Sequence, residues 1–127
     1  MTNTKARVEQ RKHKRFRVQD GAIVIIRPDD TGVGRLKDIS MGGLRFEYMS
    51  WHAAPIEAAK LDICLTGSTF CLYDIPCQSI WEETIYEKPQ ASFCWKRCGV
   101  EFGELTQAQI SQLESFIQNC TEGEVQD

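Results

Sequence analysis

Catalytic side chains are what this sequence has least of. Its 127 residues include two histidines, His13 and His52. There is no Ser/His/Asp arrangement and no glycine-rich nucleotide loop running into a helix. General acid–base chemistry has few candidates, so an enzyme is not expected. Long apolar runs are also missing. The longest early one, residues 22–26, is far short of the roughly 20 residues needed to span a bilayer. The N-terminal stretch is polar and charged, with no apolar region of the secretory kind. A cytoplasmic chain without membrane insertion is expected. Six cysteines are present (Cys64, Cys71, Cys77, Cys94, Cys98, Cys120), but they do not form paired Cys-x-x-Cys spacings. The closest two are Cys94 and Cys98, which would share a face of a strand. Structural zinc normally needs two such close pairs. The cysteines are therefore read as reduced thiols serving as small buried apolar residues, with no metal and no cofactor. Internal repeats and low-complexity segments are absent too.

Charge is present, but it is unevenly placed. The formal net charge is −3. Residues 1–18 nevertheless carry seven Lys/Arg (Lys5, Arg7, Arg11, Lys12, Lys14, Arg15, Arg17) against the single acid Glu9. The remainder carries eight against seventeen acids. A basic arm on an acidic body suits an anionic ligand at the arm. The plain alternative is a solvated terminal charge run with no ligand.

Two short runs favour the ligand. Residues 11–15 read Arg-Lys-His-Lys-Arg, and residues 38–43 read Asp-Ile-Ser-Met-Gly-Gly. An arginine fork binds phosphate oxygens, or the O6/N7 edge of guanine, with paired hydrogen bonds. Asp38 can accept from the N–H edge of the same base. The Ser40 hydroxyl suits either phosphate or base. A glycine turn at Gly43 allows close backbone approach to an anion. Either run alone is weak. In order, bracketing one strand, they are much more specific.

That order resembles the PilZ domain family, whose members bind the bacterial second messenger cyclic di-GMP. The resemblance covers roughly residues 10–120. In the family an aromatic and a strand follow the second arginine, as Phe16, Arg17 and Val18 follow Arg15. The family also closes on a Gly-Val-x-Phe strand feeding a last helix; here Gly99, Val100, Glu101 and Phe102 precede residues 105–120. Arg7 and Arg11 also stand four apart. The Arg11/Arg15 register is preferred because it alone sets Phe16 beside the second arginine. The resemblance implies a six-stranded antiparallel β-barrel with a C-terminal helix. It also implies ligand binding by Arg11, Arg15, Asp38, Ser40 and Gly43, with the arginine segment wrapping over the ligand. Arg7, Gln10 and Lys14 are further candidate contacts. Gln10 occupies the position that in the family influences whether one ligand or a stacked pair binds.

The pattern of turns and alternation agrees. Residues 16–26 read as a first strand with an irregularity at Asp20 and Gly21. A hairpin turn follows at residues 27–34, then a short strand at 35–39 and the 40–43 turn. Residues 44–48 and 61–65 alternate as half-buried strands, with a connection at 50–60 between them. Residues 69–81 read as a long strand, with Pro76 marking an edge or bulge. Residues 82–90 read as a polar turn and 91–102 as the last strand. Thr106 and Gln109 form a capping-box pattern. Ile110, Leu113, Phe116, Ile117 and Cys120 then follow at helical spacing. The domain reading is an N-terminal arm at 1–14, a barrel with helix at 15–120 and a frayed acidic tail at 121–127.

Trp81 ends a strand beside Glu82 and Glu83. It is read either as a stacking face for guanine or as a rim aromatic. Trp51 and Trp95 are read as packing residues, and His13 as a solvated linker residue. The expected function is a cyclic di-GMP receptor that orders its arm on binding and signals to an unidentified effector protein. Two alternatives remain: a PilZ-like interaction module without ligand, and nucleic-acid binding through the basic arm. The second lacks the aromatic interleaving of RNA-binding strands, and the acidic body opposes it.

Overall fold

Alternating burial sets the architecture. In the strand Ala22–Arg27, Ala22, Val24 and Ile26 are buried and their neighbours half-exposed, as a pleated strand with one covered face requires. A computed structural model of the protein describes residues 13–27, 32–50, 58–88, 90 and 93–125. Eight strands are present among them: β1 Phe16–Val18, β2 Ala22–Arg27, β3 Gly32–Ile39, β4 Gly43–Ser50, β5 Ala58–Leu65, β6 Cys71–Lys88, β7 Phe93–Phe102 and β8 Thr121–Glu124. One helix, α1 Gln107–Cys120, lies between β7 and β8.

All pairings are antiparallel, in the order β2-β5-β6-β7-β4-β3-β1-β8. An additional β2–β3 pairing closes the first six into a barrel. The expected six-stranded barrel with a C-terminal helix is what the chain forms, with two extra strands. β3 serves both parts. Its first half pairs with β2, and its end pairs with β1. Barrel closure removes the edges that an open six-stranded sheet would expose. The interior is filled by side chains such as Val24, Leu36, Ile39, Phe46, Leu61, Ile63 and Leu72.

The capping box starts α1. Gln109 donates its backbone N–H to Thr106 Oγ1 at 3.1 Å, and Thr106 N donates to Gln109 Oε1 at 2.9 Å. Gln109 Nε2 also donates to the carbonyls of Tyr73 and Asp74, which ties the helix start to β6. Leu113, Phe116 and Cys120 are its buried stripe, and Phe116 meets Phe70 with ring centroids 5.6 Å apart. Burying Leu113 and Phe116 contributes about 1.5–3 kcal/mol each.

Four expectations need correction. The first strand is two, because Gly21 takes a positive φ of 95° and breaks it between β1 and β2. Residues 82–88 are strand rather than turn. They are largely exposed and lack alternation, so the sequence gives no strand signal; the ladder to β7, reaching Lys88 opposite Phe93, holds them instead. Cross-strand pairs reinforce it. Tyr48 Oη donates to Glu82 at 2.5 Å, Lys96 Nζ to Glu82 at 3.3 Å and Arg97 to Glu83 at 3.0 Å. The acidic tail is not frayed throughout, since residues 121–124 form β8 against β1. Finally, two cysteines are not free thiols. Cys64 and Cys71 are register partners on β5 and β6, with Cα atoms 4.3 Å apart, and are joined as a disulfide. Their sequence spacing suits no metal motif, and only the hairpin brings them face to face. Cys77, Cys98 and Cys120 are buried, as expected of small apolar residues.

Candidate functional site

Where the start of β1, the 40–43 turn, the middle of β6 and the end of β7 meet, they line a groove of about 440 Å³. This is within the usual range for a small-molecule site. Arg15, Asp38, Ser40, Gly43 and Trp81 all line it. Five residues singled out from sequence therefore come together, from three separate parts of the chain. Arg7, Gln10 and Arg11 lie outside the described residues, as do Trp51 and His52.

Arg15 stands just before β1, and its position is fixed from an unexpected direction. Its backbone carbonyl accepts from Val125 N at 2.8 Å, immediately after β8. The C-terminal strand thus anchors the backbone of Arg15. Lys14 does not line this groove; its amine lies 4.0 Å from Glu124 of β8. His13, read as a solvated linker residue, is exposed but lines the groove and lies against Gly42.

Asp38 is only 3% exposed. A β-bulge puts it there. The β3–β4 register shifts between Leu36 and Asp38, so Lys37 has no partner on β4 and Asp38 falls opposite Arg45. Arg45 donates from Nε to Asp38 Oδ2 at 2.8 Å, and its Nη2 contacts the same oxygen. Oδ1 of Asp38 is buried and has no hydrogen-bond partner among the described residues. A buried acceptor left in this state costs about 1–3 kcal/mol, so it is a ready place for an N–H donor.

Ser40 has mainly a structural task. Its Oγ accepts from Gly42 N at 3.0 Å and Gly43 N at 3.2 Å, and its backbone N–H donates to Gly43 O at 2.8 Å. The hydroxyl holds the turn closed. Packing within the sheet also requires glycine at position 43. A Cβ there would stand 2.1 Å from Val100 O, so close approach of β4 to β7 excludes a side chain.

Trp81 is placed by a second bulge. The β6–β7 register shifts between Ser79 and Trp81, leaving Ile80 over and setting Trp81 opposite Gly99. The indole lies on the Gly99 backbone; a Cβ at Gly99 would meet Trp81 Nε1 at 2.3 Å. Trp81 remains 37% exposed, with ring surface available to the groove. Bulges that re-aim one side chain are a recurring device beside binding sites.

Arg45 is the groove residue that the sequence reading missed. It is half-buried, holds Asp38 and also lines a second groove described below. The available signal was its place two residues after Gly43, on the polar side of an alternating strand. No cluster of His, Cys, Asp and Glu suited to a metal ion occurs among the described residues. No helix among them is long and apolar enough to cross a membrane.

Comparison with known proteins gives a consistent result. No curated protein matches the sequence. Among solved structures, the chain is similar to the PilZ domain with c-di-GMP of YcgR from Escherichia coli. That match has a TM-score of 0.59 and 16% identity, over 87% of this chain and 91% of the other. At that identity the likeness is one of fold. The sequence itself matches the PilZ domain family over residues 9–119, a span that contains both motifs and all but the last residue of the helix. The chain belongs to the PilZ domain family.

Proposed function

We propose that this chain is a cyclic di-GMP receptor that acts by binding rather than by catalysis. One observation carries the reading: a cation, a buried carboxylate with an oxygen unpartnered among the described residues, and an exposed indole converge on one groove. Each answers a part of a guanine dinucleotide. Arg15 supplies a fork for phosphate or for the guanine O6/N7 edge. Asp38 Oδ1 accepts from the guanine N1–H and amino group. Trp81 offers a face for the purine. The Ser40-held turn brings the backbone of Gly42 and Gly43 to the rim of the same groove. The YcgR domain of similar fold was solved with c-di-GMP, which supports the choice of ligand.

Arg11 belongs to the same reading as the second arginine, docking from the N-terminal arm. Residues 5–14 are rich in charge and have no apolar stripe, so little but a docked anion would order them. Closure of the arm over the ligand is the signal, passed on in the cytoplasm by contact with an effector protein. Backbone order parameters of residues 7–14 would rise on saturation with ligand, while α1 stays rigid throughout. An arm equally rigid before and after would remove the switch and leave the site.

Calorimetry tests the binding itself. Cyclic di-GMP should titrate to saturation, and GTP and a short DNA duplex should bind far more weakly. No heat from cyclic di-GMP would leave an interaction module without ligand. Tighter binding of the duplex would make the basic arm a nucleic-acid contact.

A further inference from the structure

A second groove, of about 680 Å³, lies on the other side of Asp38 and Arg45. Arg17, Arg35, Lys37, Arg45 and Arg97 line it, from four neighbouring strands, β1, β3, β4 and β7. Three acids, Asp20, Asp38 and Glu122, line it too. The charges are not equally committed. Arg45 is held by Asp38, and Arg97 by Glu47 and Glu83 at 3.0 Å each. The hydrogen bond to Glu47 raises the Arg97 pKa further, so it stays charged at any working pH. Arg17, Arg35 and Lys37 are exposed and make no ion pair or side-chain hydrogen bond among the described residues. Lys37 is the extra residue of the β3 bulge and is exposed.

We propose that this groove docks an extended acidic segment of a partner protein. Charge complementarity favours such an occupant. From β1 to β7 the cations cross three strand spacings, about 14 Å, while acids on alternate residues of an extended peptide stand about 7 Å apart. Two or three such carboxylates match the row. The groove already shows how it takes a carboxylate, in the Asp38–Arg45 pair on its wall. A nucleotide or single-stranded nucleic acid fits less well. No aromatic side chain among the described residues lines this groove, whereas base binding relies on stacking. The proposal rests on the receptor reading for its purpose, because Asp38 and Arg45 form a wall common to both grooves. An effector docked here would touch the residues that face the ligand.

The test uses the full chain and a fluorescent peptide of alternating glutamate and serine. A single-stranded oligonucleotide of equal charge serves as the competing probe. Arg35→Glu with Lys37→Glu should weaken peptide binding about tenfold or more. Lys60→Glu, a single reversal at an exposed position of β5 across the barrel, should not. Should the double variant not fold, Lys37→Gln carries the same comparison. Three results overturn the proposal: unchanged peptide binding by the double variant, equal weakening by Lys60→Glu, or tighter binding of the oligonucleotide than of the peptide. Cyclic di-GMP and the peptide titrated separately into the unsubstituted chain keep the two readings apart. Normal ligand binding without peptide binding removes the docking groove alone. Peptide binding without ligand binding removes the receptor reading alone.

Discussion

Asp38, Trp81 and Arg15 each owe their place to something other than their own chemistry. Asp38 is aimed by the Lys37 bulge, Trp81 by the Ile80 bulge and Arg15 by the strand that follows the helix. Substitutions should separate ligand contact from support. Trp81→Ala should weaken cyclic di-GMP binding by about 1–3 kcal/mol, the usual worth of a stacked base. Gly99→Ala should weaken it comparably with Trp81 intact, because the new Cβ displaces the indole. Calorimetry with tryptophan fluorescence reads both, and normal binding by Gly99→Ala would show that ring position is irrelevant. Ser40→Ala should instead cost about 1–3 kcal/mol of stability in denaturant, by releasing two turn N–H groups. The motif residues were legible in the sequence because their types state their chemistry. Arg45 was not, since an arginine on the polar side of a strand looks like any solvated one.

Strands and helix show where legibility ends. The helix was readable because both halves of its capping box and its apolar stripe are local. So were β4 and the core of β5, which alternate. The bulges were not, because a bulge is a mismatch between two strands and neither strand encodes it alone. Nor were residues 82–88 and 121–124. Both segments are polar and mostly exposed, and both are strand only because a partner pairs with them. β8 matters for function despite its weak signal. A chain ending at Cys120 would lose the β1–β8 ladder and the Val125 bond to Arg15. Cyclic di-GMP affinity should then fall about tenfold or more, as for loss of a charge-assisted contact. The barrel, whose closure involves neither β1 nor β8, should keep its cooperative melt. Unchanged affinity in this truncation would show that β8 does not position Arg15.

The whole molecule is a closed barrel with buried thiols and a buried tyrosine, which give its stability a pH signature. Burial pushes the Cys77 thiol up to about 12 from 9.0, and burial likewise raises Cys98 and Cys120. Tyr48 is raised as well, first by burial and then by its hydrogen bond to Glu82. Unfolding lets these groups ionise, so above the unfolded thiol value the native state binds more protons than the unfolded one. Stability should be flat through neutral pH and fall from about pH 8.5 upward, by about 1.4 kcal/mol per pH unit for each such proton. Denaturant midpoints at rising pH measure this, and Cys77→Ala should flatten the slope. A midpoint that rises with alkali would contradict the burial of these groups. The central claim concerns the groove between the arginine motif and Trp81, and chemical-shift mapping tests it most directly. Added cyclic di-GMP should shift the Gly42, Gly43 and Gly99 amides and the Trp81 indole N–H, and leave Ile23 and Lys60 unmoved. Shifts confined to the β2–β5 side, or none at saturating ligand, would contradict it.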